Sequence, residues 1–168
     1  VQEHSIQIQA DMGYLPESLP IYPELTVVEY LQYAARVRSL ADRECVQRAI
    51  NLTGLSDKAL DSVSTLSRGY KQRVGVAQSI LHEPKVLVLD EPTNGLDPTQ
   101  IQQMRQLITN LSEEATVILS THVMQEVDAI CDRVLIMSAG RLTVDENLRE
   151  LTKGSSIALS TTSEAPIK

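Results

Sequence analysis

In "KVLVLDEPTNGLD", residues 85–97, a run of strand formers ends on two adjacent acids, Asp90 and Glu91. Ligands of open parallel sheets bind beyond the carboxyl ends of the strands. A carboxylate there can serve a hard cation such as Mg2+, which takes oxygen ligands together with substrate phosphates. The second acid could hold a water in line with a phosphoryl group, as base or positioner. The plain alternative is that both acids cap the next turn. His122 follows "ILST", directly after the next strand pattern, so it is expected near Asp90 and Glu91. A neutral imidazole there could hydrogen-bond a phosphate or orient the water, although a single histidine is as readily a cap or a surface residue. In "LSRGYKQR", Ser67 stands at a helix start with Gly69 two residues on. Free N–H groups, the helix dipole and a glycine that lets backbone approach make an anion site; an ordinary Ser N-cap is the alternative.

The elements that must position these residues follow from pattern. "DMGYLPE" reads as a short strand, Met12 to Leu15, running into a Pro-marked loop over residues 18–25. Thr26 and Glu29 then form a capping box, with Val27, Leu31, Ala34, Ala35 and Val37 at helical spacing. A second helix is predicted over Asp42 to Leu52 with Gly54 as its stop, and a third over Ser67 to Leu81 with Val74, Ala77 and Leu81 inward. Residues 26–83 therefore read as an all-helical block. After Pro84, "KVLVLD" and "TVILS" carry apolar residues without alternation, as strands buried on both faces do. Between them, Asp97-Pro98 opens a helix in N-cap then N1 order, with Ile101, Met104, Leu107, Ile108 and Leu111 as its stripe. A helix through Val127 and Ile130 comes next. "RVLIM" and "RLTVD" then bracket Ser138-Ala139-Gly140 as a hairpin. Strands alternating with helices imply a parallel sheet with an antiparallel end. The Ser- and Thr-rich end of the sequence reads as loose.

Composition narrows the function classes. The chain has 168 residues, 42% of them apolar, with a formal net charge of −7 and neither Phe nor Trp. The acidic balance argues against a nucleic-acid or anionic-membrane surface, which would carry a basic patch. Cys45 and Cys131 show no C-x-x-C spacing, so a metal site or disulfide framework has little support. No stretch approaches the length of a membrane span, so any work at a membrane would go through a partner.

Taken together, "LSRGYKQRVGVAQSIL", "VLVLDEPTNGLDP" and "ILSTH" resemble the signature motif, the Walker B motif with D-loop, and the H-loop of an ABC-type ATPase. "MGYLPESLPIYPELTVVEYLQYAARVR" is similar to the Q-loop and the start of the helical subdomain in ATPases of ABC-2-type exporters, including the gliding-motility-related branch. The resemblance spans roughly residues 10–150, and the order of its motifs is specific. It implies an α/β fold, a P-loop NTPase-like parallel sheet with an inserted all-helical subdomain. Residues 1–25 would be the Q-loop strand and loop of the core. Residues 26–83 would be the helical subdomain, 84–152 the C-terminal half of the core, and 153–168 a flexible tail or the start of an extension.

The resemblance also implies ATP and Mg2+ as cofactors and a role for each motif residue. Asp90 would organise Mg2+, Glu91 would be the catalytic carboxylate and His122 would contact the γ-phosphate. Ser67, Arg68, Gly69 and Tyr70 would form the edge that meets the ATP of an opposing subunit, and Asp97 would belong to the D-loop across that interface. The implied partners are a second ABC ATPase subunit, identical or not, and an integral membrane permease. Location would be the inner face of the cell membrane through that permease.

Three departures bear on this. The family's "LSGGQ" is "LSRGY", so Arg68 adds charge and Tyr70 a stacking face beside the anion site. Glu17 stands where the Q-loop has glutamine; its carboxylate can still ligate Mg2+ but donates no hydrogen bond unless protonated. No G-x-x-x-x-G-K-[ST] occurs, so the backbone nest and lysine that cradle the β- and γ-phosphates are missing. The sequence therefore reads as the later two-thirds of such a domain, inactive by itself. A non-catalytic interaction module built on the same domain is the alternative.

Overall fold

Strands β1 (Met12–Leu15), β2 (Val86–Asp90) and β3 (Thr116–Ser120) pair in parallel in the order β1-β2-β3. Their register sets Met12 opposite Val86 and Leu15 opposite Leu89, then Val86 opposite Thr116 and Asp90 opposite Ser120. The computed structural model describes residues 5–40 and 44–153. The expected helix start at Asp42 and the loose tail from residue 154 lie outside the described residues. A short helix not anticipated from sequence, α1 (Ser5–Asp11), leads into β1.

Parallel neighbours need long crossovers. The first, from β1 to β2, contains the helical block. Its leading helix α2 (Val27–Val37) starts on the predicted capping box: the Thr26 hydroxyl accepts from the Glu29 N–H at 3.3 Å, and the Glu29 carboxylate accepts from the Thr26 N–H at 2.9 Å. The backbone N–H of Thr26, then its hydroxyl, hold the Glu29 carboxyl below the usual carboxylate range. Val27, Tyr30, Leu31, Ala34 and Ala35 turn inward. They meet α3 (Glu44–Leu52), which buries Val46, Ala49 and Ile50, and α4 (Arg68–Ile80). Helix α4 packs against α2 and α3 and also against β1, which explains why Val74, Gly75, Val76, Ala77 and Ile80 are all buried along it.

Two glycines let α4 settle on the strand. A Cβ on Gly13 would collide with the Ser79 carbonyl oxygen and lie 2.9 Å from Leu87 Cδ1. A Cβ on Gly75 would come within 2.6 Å of Leu15 Cδ1. At Gly13 the strand therefore meets the backbone of α4, while at Gly75 the ends of Leu15 and Leu19 close on the helix.

The second crossover is α5 (Pro98–Leu111), which buries Met104, Leu107, Ile108 and Leu111 as its stripe predicts. Burial of the strands departs from expectation. In β2, Leu87 and Leu89 are buried while Val86 and Val88 are only half-buried. In β3 no residue is fully buried, and Ile118 is 48% exposed. The strand lies at the edge of its sheet, with no strand on its outer side among the described residues, so "TVILS" has the composition of a covered strand without the cover.

The chain divides into two compact units, the first ending at Met124 and the second beginning at Gln125. The second holds most of α6 (Met124–Ile130), an antiparallel hairpin of β4 (Arg133–Ser138) and β5 (Arg141–Asn147), and α7 (Leu148–Lys153), which sequence did not suggest. The hairpin turn is Ala139-Gly140, both at positive φ, as a primed two-residue turn requires. Ser138, expected in the turn, belongs to the strand. Arg133 grips Asp145 with two bonds of 2.6 and 2.8 Å, and that grip holds the Asp145 carboxyl below its ordinary range. Among the described residues, no helix is long and apolar enough to cross a membrane.

The Gly13 packing makes a direct prediction. Gly13→Ala forces β1 off α4 and should destabilise the chain by about 1–3 kcal/mol, seen as a lower urea midpoint. An unchanged midpoint would show that α4 and β1 are not in close contact there.

Candidate functional site

Asp90 is the last residue of β2, and the chain leaves the sheet through Glu91 at φ 48, in the left-handed region that non-glycine residues seldom adopt. Ser120, at the end of β3, stabilises this departure. Its carbonyl oxygen accepts from the Glu91 N–H at 3.2 Å and its hydroxyl accepts from the same N–H at 3.1 Å. That hydroxyl donates in turn to Asp90 Oδ1 at 2.5 Å. One serine thus fixes both the rotamer of Asp90 and the backbone of Glu91.

Two residues past Ser120, His122 brings Nδ1 to 2.9 Å from Glu91 Oε1. A carboxylate oxygen accepts in this bond, so the hydrogen between them sits on Nδ1. The Glu91 side chain is 20% exposed and that of His122 is 72% exposed. The carboxylate is therefore sheltered while the imidazole faces outward. Asp90, Glu91 and His122, expected at one edge, do meet there.

Beyond Glu91 the chain folds into a turn. The Asn94 N–H donates to the Glu91 carbonyl at 3.1 Å, the Leu96 N–H to the Thr93 carbonyl at 3.1 Å, and Gly95 takes φ 71. Asn94 Nδ2 donates to Glu17 Oε1 at 3.1 Å, which brings Glu17 from the loop after β1 to the same edge. Asp97 caps α5: its Oδ1 accepts from the Gln100 N–H at 2.9 Å, with Pro98 at the first helical position.

Helix α4 begins beside this turn. Ser67 is its N-cap, accepting from the Tyr70 N–H at 3.5 Å. Gly69 is buried, and a Cβ there would lie 2.8 Å from the Gln100 carboxamide. The glycine therefore makes room for the Gln100 side chain of α5 against the start of α4. Arg68 extends over Gly95, whose absent Cβ would fall on the guanidinium, 2.5 Å from Nη1.

The donor set suits a particular cation. No group of three or more His, Cys, Asp or Glu side chains converges among the described residues. Asp90 offers a hard carboxylate at the strand end, with one oxygen already held by Ser120. Mg2+ is commonly held that way, through one or two carboxylates, waters and substrate phosphates.

Ser120 and Asn94 carry much of this geometry and neither stands out in the sequence. A serine ending a strand is unremarkable by type, and its partners lie 29 and 30 residues away. The signal that could have found Ser120 is register, because it is the residue opposite Asp90 once "VLVLD" and "TVILS" are aligned in parallel.

Comparison with known proteins agrees with the motif order. A family model described as "ABC transporter" matches residues 2–94. The ABC transporter ATP-binding protein YhcH of Bacillus subtilis is 39% identical over 141 residues, covering 83% of this chain and 46% of that protein. The bacitracin transport ATP-binding protein BcrA of Enterococcus faecalis is 36% identical over 154 residues, covering 90% of this chain and 50% of that one. The chain thus spans about half the length of these relatives. Among solved structures, cbiO1 of Clostridium perfringens, part of the ABC transporter complex cbiONQ, superposes with a TM-score of 0.79 at 27% identity, covering 91% of this chain and 63% of that one.

The Ser120 bridge is testable by stability. Ser120→Ala removes a donor to a carboxylate and an acceptor for a strained N–H, and should cost about 0.5–1.5 kcal/mol in urea denaturation. Ser120→Thr keeps the hydroxyl and should stay closer to the parent. Equal stability of the alanine variant and the parent would show that the hydroxyl does not hold the turn.

Proposed function

The chain belongs to the ABC transporter family, and from that membership we propose that it forms part of the ATP-hydrolysing subunit of an ABC-2 exporter-like transporter. The observation that carries the reading is the Glu91–His122 hydrogen bond of 2.9 Å beside Asp90 at the end of β2. Bound Mg-ATP supplies the phosphoryl group and neutralises the charge that develops on it. Glu91 takes the part of the carboxylate that positions the attacking water and accepts its proton. His122, oriented through Nδ1 by Glu91, would meet the γ-phosphate as an imidazolium, with Nε2–H donating to a phosphate oxygen. Asp90, with its rotamer set by Ser120, holds the cation's inner shell or its waters. Glu17, tethered by Asn94, is the second oxygen donor toward the same ion.

The start of α4 serves a different nucleotide. Ser67, Gly69 and Tyr70 present the helix N-terminus and its dipole to the phosphates of an ATP held by an opposing subunit. Asp97 sits in the loop that crosses to that subunit. Two such domains, head to tail, would close on ATP and open on hydrolysis. The helical block of α2–α4 would pass that motion to an integral membrane permease, at the inner face of the cell membrane. The bacitracin and linearmycin systems among the relatives support the exporter branch.

No phosphate-loop motif occurs in the 168 residues, so the proposal separates two assays. In a complete domain that supplies a phosphate loop, Glu91→Gln should lower turnover by at least about a hundredfold while Mg-ATP binding is kept. The 168-residue chain alone should show no turnover. Unchanged turnover in Glu91→Gln would remove Glu91 from catalysis. Permease binding by a complete domain that never hydrolyses ATP would favour the interaction-module reading instead.

A further inference from the structure

Arg68 stands where the family motif has glycine. Its side chain leaves the first residue of α4, and Cα–Cβ bonds in a helix tilt toward the N-terminus, so it extends past the helix end toward the 92–97 turn. There it covers Gly95: a Cβ on Gly95 would collide with the guanidinium carbon and lie 2.5 Å from Nη1 and 2.8 Å from Nε. All three of these atoms belong to the guanidinium, so the charged head itself lies against the turn. Gly95 is thus favoured by its φ of 71, and a side chain there would also have to push the Arg68 guanidinium aside.

The contact belongs to a seam between α4 and the start of α5. Gly69 receives the Gln100 carboxamide at 2.8 Å from its absent Cβ. One helical turn further on, Arg73 Nη2 donates to Gln103 Oε1 at 2.9 Å, while its Nη1 donates to the Thr53 carbonyl at 2.9 Å. The turn covered by Arg68 is the one whose Asn94 N–H is bonded to the Glu91 carbonyl and whose Asn94 side chain holds Glu17. A displacement of the α4 start is therefore felt two bonded steps from the carboxylate proposed to work on the water.

We propose that Arg68 is a positioning residue that clamps the 92–97 turn to the start of α4 and so holds Glu91 and Glu17 in place, instead of spending its charge on phosphate. The proposal rests on the ATPase reading above. A planar guanidinium can lie flat on a peptide as an ammonium cannot. Lysine should therefore replace it poorly, whereas at a phosphate contact lysine would serve as a point charge.

Two measurements test this. In the 168-residue chain, Gly95→Ala should lower Tm by roughly 4 °C more when Arg68 is present than in an Arg68→Ala background, because only the first carries the collision. Equal shifts in both backgrounds would overturn the clamp. In a complete domain with a phosphate loop, Arg68→Ala and Arg68→Lys should both lower kcat by about tenfold or more, with KM for ATP changed less than about twofold. A raised KM with kcat intact, rescued by lysine, would overturn the proposal in favour of a phosphate contact, and unchanged kinetics would overturn it as well. No ATP turnover by the complete parent domain would instead sink the ATPase reading, and the Tm comparison would still decide whether Arg68 clamps the turn.

Discussion

The site depends on how β2 ends. Glu91 leaves the sheet in a left-handed conformation, which costs a residue with a Cβ about 1–2 kcal/mol. It stays there because its N–H is held by both the carbonyl and the hydroxyl of Ser120. That hydroxyl is in place only because parallel pairing sets Ser120 opposite Asp90. A slip of one residue would put Leu119 or Thr121 there, turning the side-chain alternation over and removing the bridge. Strand register, a backbone property of the whole sheet, thus decides where two carboxylates point. His122 inherits its position from the same strand, two residues further on.

A second constraint fixes the helical block relative to that sheet. With Gly13 facing the α4 backbone and Gly75 facing the ends of Leu15 and Leu19, helix and strand approach closely, and a side chain on Gly13 would meet backbone that cannot give way without moving the helix. Close packing of this sort transmits small displacements with little absorption, because protein interiors are near crystal density. The start of α4 is therefore referenced to the sheet through its own body, to the turn after Glu91 through Arg68, and to α5 through Gly69 and Arg73.

Much of this was legible in the sequence, for reasons that differ by element. The capping box at Thr26, the Asp97-Pro98 helix start and the short strand at Met12 are local signals, and each element appears within a residue or two of its predicted place. The meeting of Glu91 with His122 was also readable, because each follows a strand and parallel strands deliver their ends to one edge. What stayed hidden depends on partners distant in sequence. Ser120 acts on residues 29 and 30 positions away, and Asn94 on Glu17, 77 positions away. Arg68 looked like a charge beside an anion site, and only the backbone of Gly95 gives it another partner. The burial expected for "TVILS" failed for a related reason. A run of apolar residues records that a strand tolerates cover on both faces, and whether cover exists is a property of its neighbours.

That edge has a practical side. Thr116–Ser120 carries no charged residue and no proline, and Ile118 stands half in solvent. Natural edge strands are usually blunted by lysine, proline or a bulge, since an unblunted one offers its backbone groups as a template to any other chain. Here the sequence supplies none of those guards within the strand. A strand edge of this kind is where a sheet is most open to pairing with another chain.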